Sequence, residues 1–539
     1  MPKRMMPIDI ANMIQRRFSI FPPLLLANDK DSLKFEMKPY LQPFERELAT
    51  RELQALLQGD GPVAEKYGLH LVRSGRPVQY FRERLTYWQR VGTTVLEPTV
   101  QNALEFTQNG SESTTEKTEL HRARRLRYGP HDLHEYRGKF FPQLVRSLMN
   151  ISGVPDDGLV LDPMCGSGTT PCETVAAGRA ALAADLNPLS VLIAKVKAGI
   201  VRERPEVFAE TIDAYLRKLK FRDSEPDHFW QGHDLAYLRR WFAEPALKDI
   251  AAILRSIERV DSALYRDFLR VCLSEIVRSV SWQKEVDLRV RKDVRPYLQG
   301  AALEKFRTQV EEQTDRIYPY LCVLPRSRKR TLKVVQGNAV QLDELFPEYV
   351  GKVDLLVTSP PYATALPYID TDRLSLVVLG LLSRQRHGDV ESLMVGTREI
   401  TDKERLQGWS QFETRKKELP RETISLIERI ASHNHGPDVG FRRRNLPSLL
   451  ARYFLAMSDA MRSARSLMAP GSYAYYVVGN NSSTVNGEKV EIPTDRFLFA
   501  IGQQVGWKGL EMIPMELLVS RDIFRENRGS AETILCFKA

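Results

Sequence analysis

The chain has little of what small secreted or metal-built proteins depend on. Its 539 residues hold five cysteines (Cys165, Cys172, Cys272, Cys322 and Cys536), too few and too scattered for a disulfide framework, and this fits a reducing cytoplasm. Cys165 and Cys172 join no further Cys or His pair at ligand spacing, so no metal is expected and small buried side chains are the plainer reading. No run approaches the ~20 apolar residues of a membrane span. The opening "MPKRMMPIDIANMIQRRF" is basic but lacks an apolar core followed by a small-residue cleavage site, so a secretory signal is not expected. No segment repeats at a fixed period.

What is present is the composition of a folded protein, 43% hydrophobic and 27% charged. The length suggests about three or four domain equivalents, or one large domain with insertions. Lys and Arg number 78 against 68 Asp and Glu, a net charge of +10, so the surface favours polyanions without identifying one.

Texture divides the chain. Residues 1–120 read as an N-terminal accessory region with helical pieces such as "PFERELATRELQALLQ", closed by the polar run "TQNGSESTTEKTE". Residues 121–200 carry an apolar strand, a Gly-rich turn, a helix that Gly178 can close, and a second strand ending in a carboxylate. A helical insertion is expected over 201–330 and strand texture again over 331–381. Residues 382–447 lack strand rhythm and read as a second insertion with a possible target-recognition role. Residues 448–539 supply a helix, the strand "SYAYYVVGN", a last helix and the closing strand "AETILCFKA".

The first chemical signal is "DPMCGSGTT", residues 162–170. Gly166 and Gly168 let the backbone pass close to a ligand where a Cβ would collide, and such a turn aims amides at it. Asp185 ends the next strand roughly twenty residues on, where doubly wound folds grip ribose hydroxyls. No Lys follows the glycines in the phosphate-loop arrangement, so dinucleotide chemistry and methyl transfer both remain open at this point.

The deciding signal is "TSPPY" at the carboxyl end of "VDLLV". Ligands of open α/β sheets gather at that edge. An exocyclic amino nitrogen is conjugated with its ring and is a poor nucleophile until acceptors hold its hydrogens. Pro360 and Pro361 stiffen the turn and donate no amides, leaving the Pro360 carbonyl to accept. Ser359 adds a hydroxyl, and Tyr362 a flat face for an extruded base. A Pro-Cys pair, Pro171–Cys172, falls at a helix start, where Pro is ordinary, so it is not read as the nucleophile of a carbon-5 methylase.

With "DPMCGSGTT", "DLNP", "TSPPY" and the upstream "HEYRGKFFPQLV", the chain resembles the DNA amino-methyltransferases, which methylate cytosine N(4) or adenine N(6). The resemblance implies a Rossmann-like α/β sheet using S-adenosyl-L-methionine, with Ser359, Pro360, Pro361 and Tyr362 catalytic. It implies a cofactor site of Lys139, Phe140, Asp162, Pro163, Met164, Cys165, Gly166, Ser167, Gly168, Thr169, Asp185, Leu186, Asn187 and Asn338, with Pro142 at its border. Asn338 stands where the family often has Asp, and "PGSYAYYVVGN" resembles the family's strand that ends beside the target-base pocket, which makes Asn480 a candidate there. Ser before the proline pair is typical of cytosine N(4) enzymes, so that base is expected, with double-stranded DNA as partner, and adenine or an RNA amino group as alternatives. The basic clusters Arg122, Arg124, Arg125, Arg127; Arg326, Arg328, Lys329, Arg330; and Arg442, Arg443, Arg444 are candidates for phosphate contact. A companion restriction endonuclease or defence component is possible from the resemblance alone.

Overall fold

The computed structural model describes residues 32–58, 64–66, 69–107, 126–136, 140–219, 224–284, 291–325, 330–363, 368–397, 400–434, 439–485, 488–515 and 532–539. Lys139, most of the polar run before Leu120, Arg122, Arg124, Arg125, Arg326, Arg328 and Lys329 lie outside the described residues.

The N-terminal region builds a layer of its own. Five short antiparallel strands, β1 (Leu33–Met37), β2 (Ala64–Lys66), β3 (Leu69–Val72), β4 (Trp88–Gly92) and β5 (Leu96–Pro98), pair in the order β2-β3-β1-β4-β5. Helix α1 (Pro43–Leu57) starts on a proline, and Glu45 reaches back to accept the Gln42 amide at 2.8 Å. The apolar side of this layer (Phe35, Leu48, Leu53, Phe81, Trp88) packs in one core with Val160, Leu355, Val357, Tyr475 and Val477 of the large sheet. The region is thus a cover for one sheet face. Buried Glu52 ties it down, accepting the Thr86 amide at 3.1 Å and the Asn150 side chain of α2 (Pro142–Ser152) at 2.6 Å. Burial pushes the Glu52 carboxyl above its ordinary value.

The large sheet has seven strands: β6 (Leu159–Asp162), β7 (Ala180–Asp185), β8 (Leu332–Gln336), β9 (Val353–Thr358), β10 (Met468–Gly479), β13 (Lys508–Met515) and β14 (Glu532–Lys538). Their order is β13-β14-β10-β9-β6-β7-β8. Neighbours from β10 to β8 pair parallel, while β14 runs antiparallel between β10 and β13. The chain leaves β6 toward β7 and β8, then returns to β9 on the other flank, so the switch point lies between β6 and β9. This is a Rossmann-like, doubly wound α/β sheet carrying an antiparallel strand on one flank. Residues of opposite parity (Leu161, Leu356, Ala474, Tyr476, Val478) face a second core with helix α5 (Phe441–Leu467) and helix α6 (Thr494–Gln504). Burial on both faces explains why "VDLLV" reads as a continuous apolar run.

Between Arg202 and Arg330 the structure holds helices Pro205–Lys218, Gly232–Arg239, Glu244–Ile257, Ala263–Val277 and Ala301–Val323. They share a core with Ile193, Val196 and Ile200 of α4 (Pro188–Ile200) through Phe208, Ile250, Phe268 and Phe306.

Helix α5 runs across Pro447, the residue at which the second insertion is expected to end. A proline inside a helix strands the carbonyl four residues earlier. Here that carbonyl, Arg443, accepts from the Asn434 side chain at 2.9 Å, so the helix continues through Pro447. Strand β13 and the hairpin β11 (Asn481–Val485) and β12 (Glu488–Ile492) are further additions to the sequence reading. Among the described residues, no helix is long and apolar enough to cross a membrane.

Candidate active site

The two turns singled out in the sequence leave adjacent strands at the same edge. β6 and β9 pair in parallel, Val160 with Leu355 and Leu161 with Leu356, so the glycine turn after Asp162 and the proline turn after Thr358 stand side by side. A single buried carboxylate joins them: Asp162 Oδ1 accepts the Thr358 hydroxyl at 2.7 Å and the Met164 amide at 3.2 Å. Thr170, the second residue of α3 (Thr169–Ala176), donates to the Val357 carbonyl at 3.2 Å, a second strap between the loops.

A cleft of about 640 Å³, open to solvent, lies between the turns. Phe140, Met164, Cys165, Gly166, Ser167, Thr169 and Asp185 line one part of it, and Ser359, Pro360, Pro361 and Tyr362 the other. Two residues outside the expected set also line it. Tyr136 belongs to the quoted upstream element, and Met394 comes from the second insertion.

The glycines have separate duties. Gly166 has a φ of +47°, and a Cβ there would meet the Tyr136 ring at 2.9 Å; Gly168, at +81°, opens α3 and would strike Ala194 of α4 at 2.6 Å. Gly166 therefore shapes the cleft floor, and Gly168 lets the turn pack on the helix beneath. The expectation of free amides is corrected at both: the Gly166 amide donates to Asp185 Oδ2 at 2.8 Å and the Gly168 amide to the Cys165 carbonyl at 2.8 Å. Ser167 accepts from the buried ammonium of Lys197 at 3.2 Å.

Asp162, Pro163, Gly168, Leu186, Asn187 and Asn338 do not line the cleft. Asp162 is fully buried behind the turn. Asn187 caps α4, accepting the Leu189 amide at 3.0 Å, and donates to Asp372 at 2.8 Å. Asn338 caps the next turn through the Val340 amide at 3.3 Å. Pro142 is the buried first residue of α2. Asn480 accepts the Asp495 amide at 3.0 Å, while its neighbour Asn481 holds the proline loop by donating to the Ala363 carbonyl at 2.6 Å.

The proline loop is fixed from several sides. The Tyr362 hydroxyl donates to Glu532, and a Cβ on Gly479 would lie 3.0 Å from the Tyr362 ring. Gly396, at a φ of +80°, sits against the Tyr362 carbonyl and Pro361, where a Cβ would approach to 2.9 Å and 3.1 Å. Among the described residues, neither the Ser359 hydroxyl nor the Pro360 carbonyl has a hydrogen-bond partner, so both are available to a ligand in the cleft they line.

The arrangement suits an adenosyl cofactor. Asp185 is half-buried in the cleft wall, where it accepts the amides of Gly166 at 2.8 Å and Asn187 at 2.9 Å, and a carboxylate has acceptor capacity beyond these bonds for ribose hydroxyls. Phe140 and Met164 offer an apolar bed for a thioether chain. Burial raises the Asp185 carboxyl to about 6. No thiol is poised for attack, since burial pushes both Cys165 and Cys172 up, and Cys172 lies against His131 at 3.8 Å, outside the cleft.

Burial raises the Asp162 carboxyl to about 7, against the pull of its Thr358 and Met164 bonds. The folded state then keeps a proton that the unfolded state releases near its ordinary 3.8, so stability from this group is present below that value and is lost as pH rises toward 7. Asp162→Asn is expected to flatten this part of the profile, by on the order of 1.4 kcal/mol for each pH unit crossed. Urea denaturation of both proteins at pH 5 and pH 8 measures it; equal slopes in the two proteins would contradict an abnormal Asp162.

The chain is similar in sequence to known methyltransferases. Residues 133–218 match the family described as RMKL-like, methyltransferase domain, a span that includes the glycine turn and Asp185. Type II methyltransferase M.MvaI of Kocuria varians is 24% identical over 382 residues, covering 68% of this chain and 79% of that protein. Type II methyltransferase M.AvaI of Anabaena variabilis is 22% identical over 399 residues, covering 69% and 78%. Among solved structures, TrmN from Thermus thermophilus covers 94% of this chain and 99% of its own at 11% identity and a TM-score of 0.31, so the fold rests on the strand order.

Proposed function

We propose that the chain is a DNA amino-methyltransferase that methylates the N(4) amino group of cytosine in duplex DNA, on a base swung out of the helix. The observation that carries the reading is the pairing of β6 with β9, which brings Ser359 and Pro360 to the cleft that Asp185 and Gly166 also line. The M.MvaI and M.AvaI relatives support DNA as the substrate, and Ser359 before the prolines favours cytosine.

In this reading S-adenosylmethionine, when bound, supplies an electrophilic methyl carbon. Asp185 accepts ribose hydroxyls, and Phe140 and Met164 flank the methionine chain. The Ser359 hydroxyl and the Pro360 carbonyl accept from the two N–H groups of the target amine, which loosens its conjugation and frees the lone pair; as the N–C bond forms the methyl–sulfur bond breaks, its electron pair staying on sulfur, and one amine proton passes to water in the solvent-open cleft. Tyr362 stacks on the base, holding it against the cleft. The second insertion supplies Met394 and Gly396 beside this loop, which supports target recognition by residues 382–447. Arg442 and Arg443 are exposed at the start of α5 and are proposed to meet phosphates.

Mass spectrometry of nucleosides, after incubating duplex DNA with labelled S-adenosylmethionine, is expected to yield N(4)-methylcytosine. N(6)-methyladenine would overturn the choice of base, and label found only on tRNA or rRNA would overturn the choice of DNA. Tyr362→Ala is expected to lower kcat/KM by about 5- to 150-fold, the range of ~1 to 3 kcal/mol of stacking.

A further inference from the structure

The mechanism above uses the face of Tyr362 and leaves open what sets its plane. Resting on the reading of Tyr362 as the stacking surface, we propose that Glu532 is a positioning residue that fixes the Tyr362 ring through its hydroxyl.

Two contacts and the strand register that links them converge there. The Tyr362 hydroxyl donates to Glu532 Oε1. Glu532 opens β14 directly opposite Gly479, the last residue of β10. A Cβ at Gly479 would lie 3.0 Å from both Cε2 and Cζ of Tyr362, so the ring rests on the strand end with no side chain between. The phenol is thereby held at its tip by the carboxylate and along one edge by bare backbone. A tyrosine ring turns about a broad torsion whose axis passes through the hydroxyl oxygen, so the carboxylate acts on the plane through the O–H, which conjugation keeps near the plane of the ring, while the Gly479 backbone limits the ring's edge.

The anchor is itself anchored. Thr533, next to Glu532, donates its hydroxyl to Asp495 Oδ2 at 2.9 Å, and the Asp495 amide donates to Asn480 Oδ1 at 3.0 Å, tying the start of β14 to the end of β10. The closing strand, far from the glycine and proline turns in sequence, thus reaches the base pocket through one side chain.

The test is a double-mutant cycle on the full chain, read by kcat/KM for methylation and by fluorescence of a duplex with 2-aminopurine at the target base, without cofactor. Tyr362→Phe and Glu532→Ala are each expected to lower kcat/KM by about tenfold and to weaken the 2-aminopurine signal, with Glu532→Ala adding nothing in the Tyr362→Phe background. Glu532→Gln keeps an acceptor and is expected to restore most of the loss. Losses that multiply, or a Glu532→Ala protein with unchanged rate and signal, would overturn the proposal. If Glu532→Ala does not fold, Tyr362→Phe and Glu532→Gln carry the test, and a Tyr362→Phe protein indistinguishable from the parent overturns it. Tyr362→Ala separates the two readings: undiminished kcat/KM sinks the stacking role itself, whereas a diminished value beside a silent Glu532→Ala sinks only the positioning role.

Discussion

Asp185→Ala is expected to weaken binding of S-adenosylmethionine by 100-fold or more. On the proposed placement the carboxylate accepts two ribose hydroxyls, and charge-assisted bonds of this kind contribute ~1.5 to 3 kcal/mol each. The substitution also removes the acceptor for the Gly166 amide, so the glycine turn loses its tie to β7. Calorimetric titration of the cofactor measures the effect, and Tyr362→Ala, which acts at the other part of the cleft, is expected to leave that affinity within about twofold. A pH series sharpens the test. Because burial raises Asp185 to about 6, affinity should fall as pH drops through 6, when the carboxylate gains a proton. Asp185→Asn should bind weakly with no inflection there. Cofactor affinity that ignores both the substitution and the pH would place the ribose elsewhere.

Glu173→Gln is expected to destabilise the fold by about 3 to 5 kcal/mol, the cost of leaving one member of a buried ion pair without its partner. Glu173, fully buried on α3, accepts from Arg146 Nε of α2 at 2.9 Å and meets His131 Nε2 at 2.7 Å. Burial pushes its carboxyl up, but Arg146 and His131 outweigh that and hold it below the ordinary glutamate value. The triad clamps the helix after the glycine turn to the segment that brings Tyr136 and Phe140 to the cleft. Urea midpoints of the parent and Glu173→Gln proteins measure the loss; a change under about 1 kcal/mol would mean that the arginine finds another counter-charge or water.

The central strands were legible because they are buried on both faces and end at glycine or proline turns: β6, β7 and β9 follow from "GLVLD", "AALAAD" and "VDLLV". The edge strand β13 was not, since "KGLEMIPM" mixes charge with a proline, which an edge tolerates and a pattern search discounts. Nor was the N-terminal sheet, whose strands are three to five residues long, too short for a period to declare itself. In the site, the residues of the two turns could be named from their chemistry. Met394, Gly396 and Glu532 could not. Each is an ordinary residue whose role comes from where distant chain is folded back, and no spacing rule connects Glu532 to Tyr362. Asp162 and Asn187 carry the opposite lesson, for they belong to recognisable motifs yet act behind the cleft, as a strap and a cap.

The strap between Asp162 and Thr358 has a structural corollary. Some 196 residues separate its two ends along the chain, yet the gap it spans is set by two neighbouring strands. The helical layer threaded between them can therefore lengthen, shrink or be exchanged without altering how donor and acceptor face each other, and the alignment of the reaction is insulated from the architecture built around it.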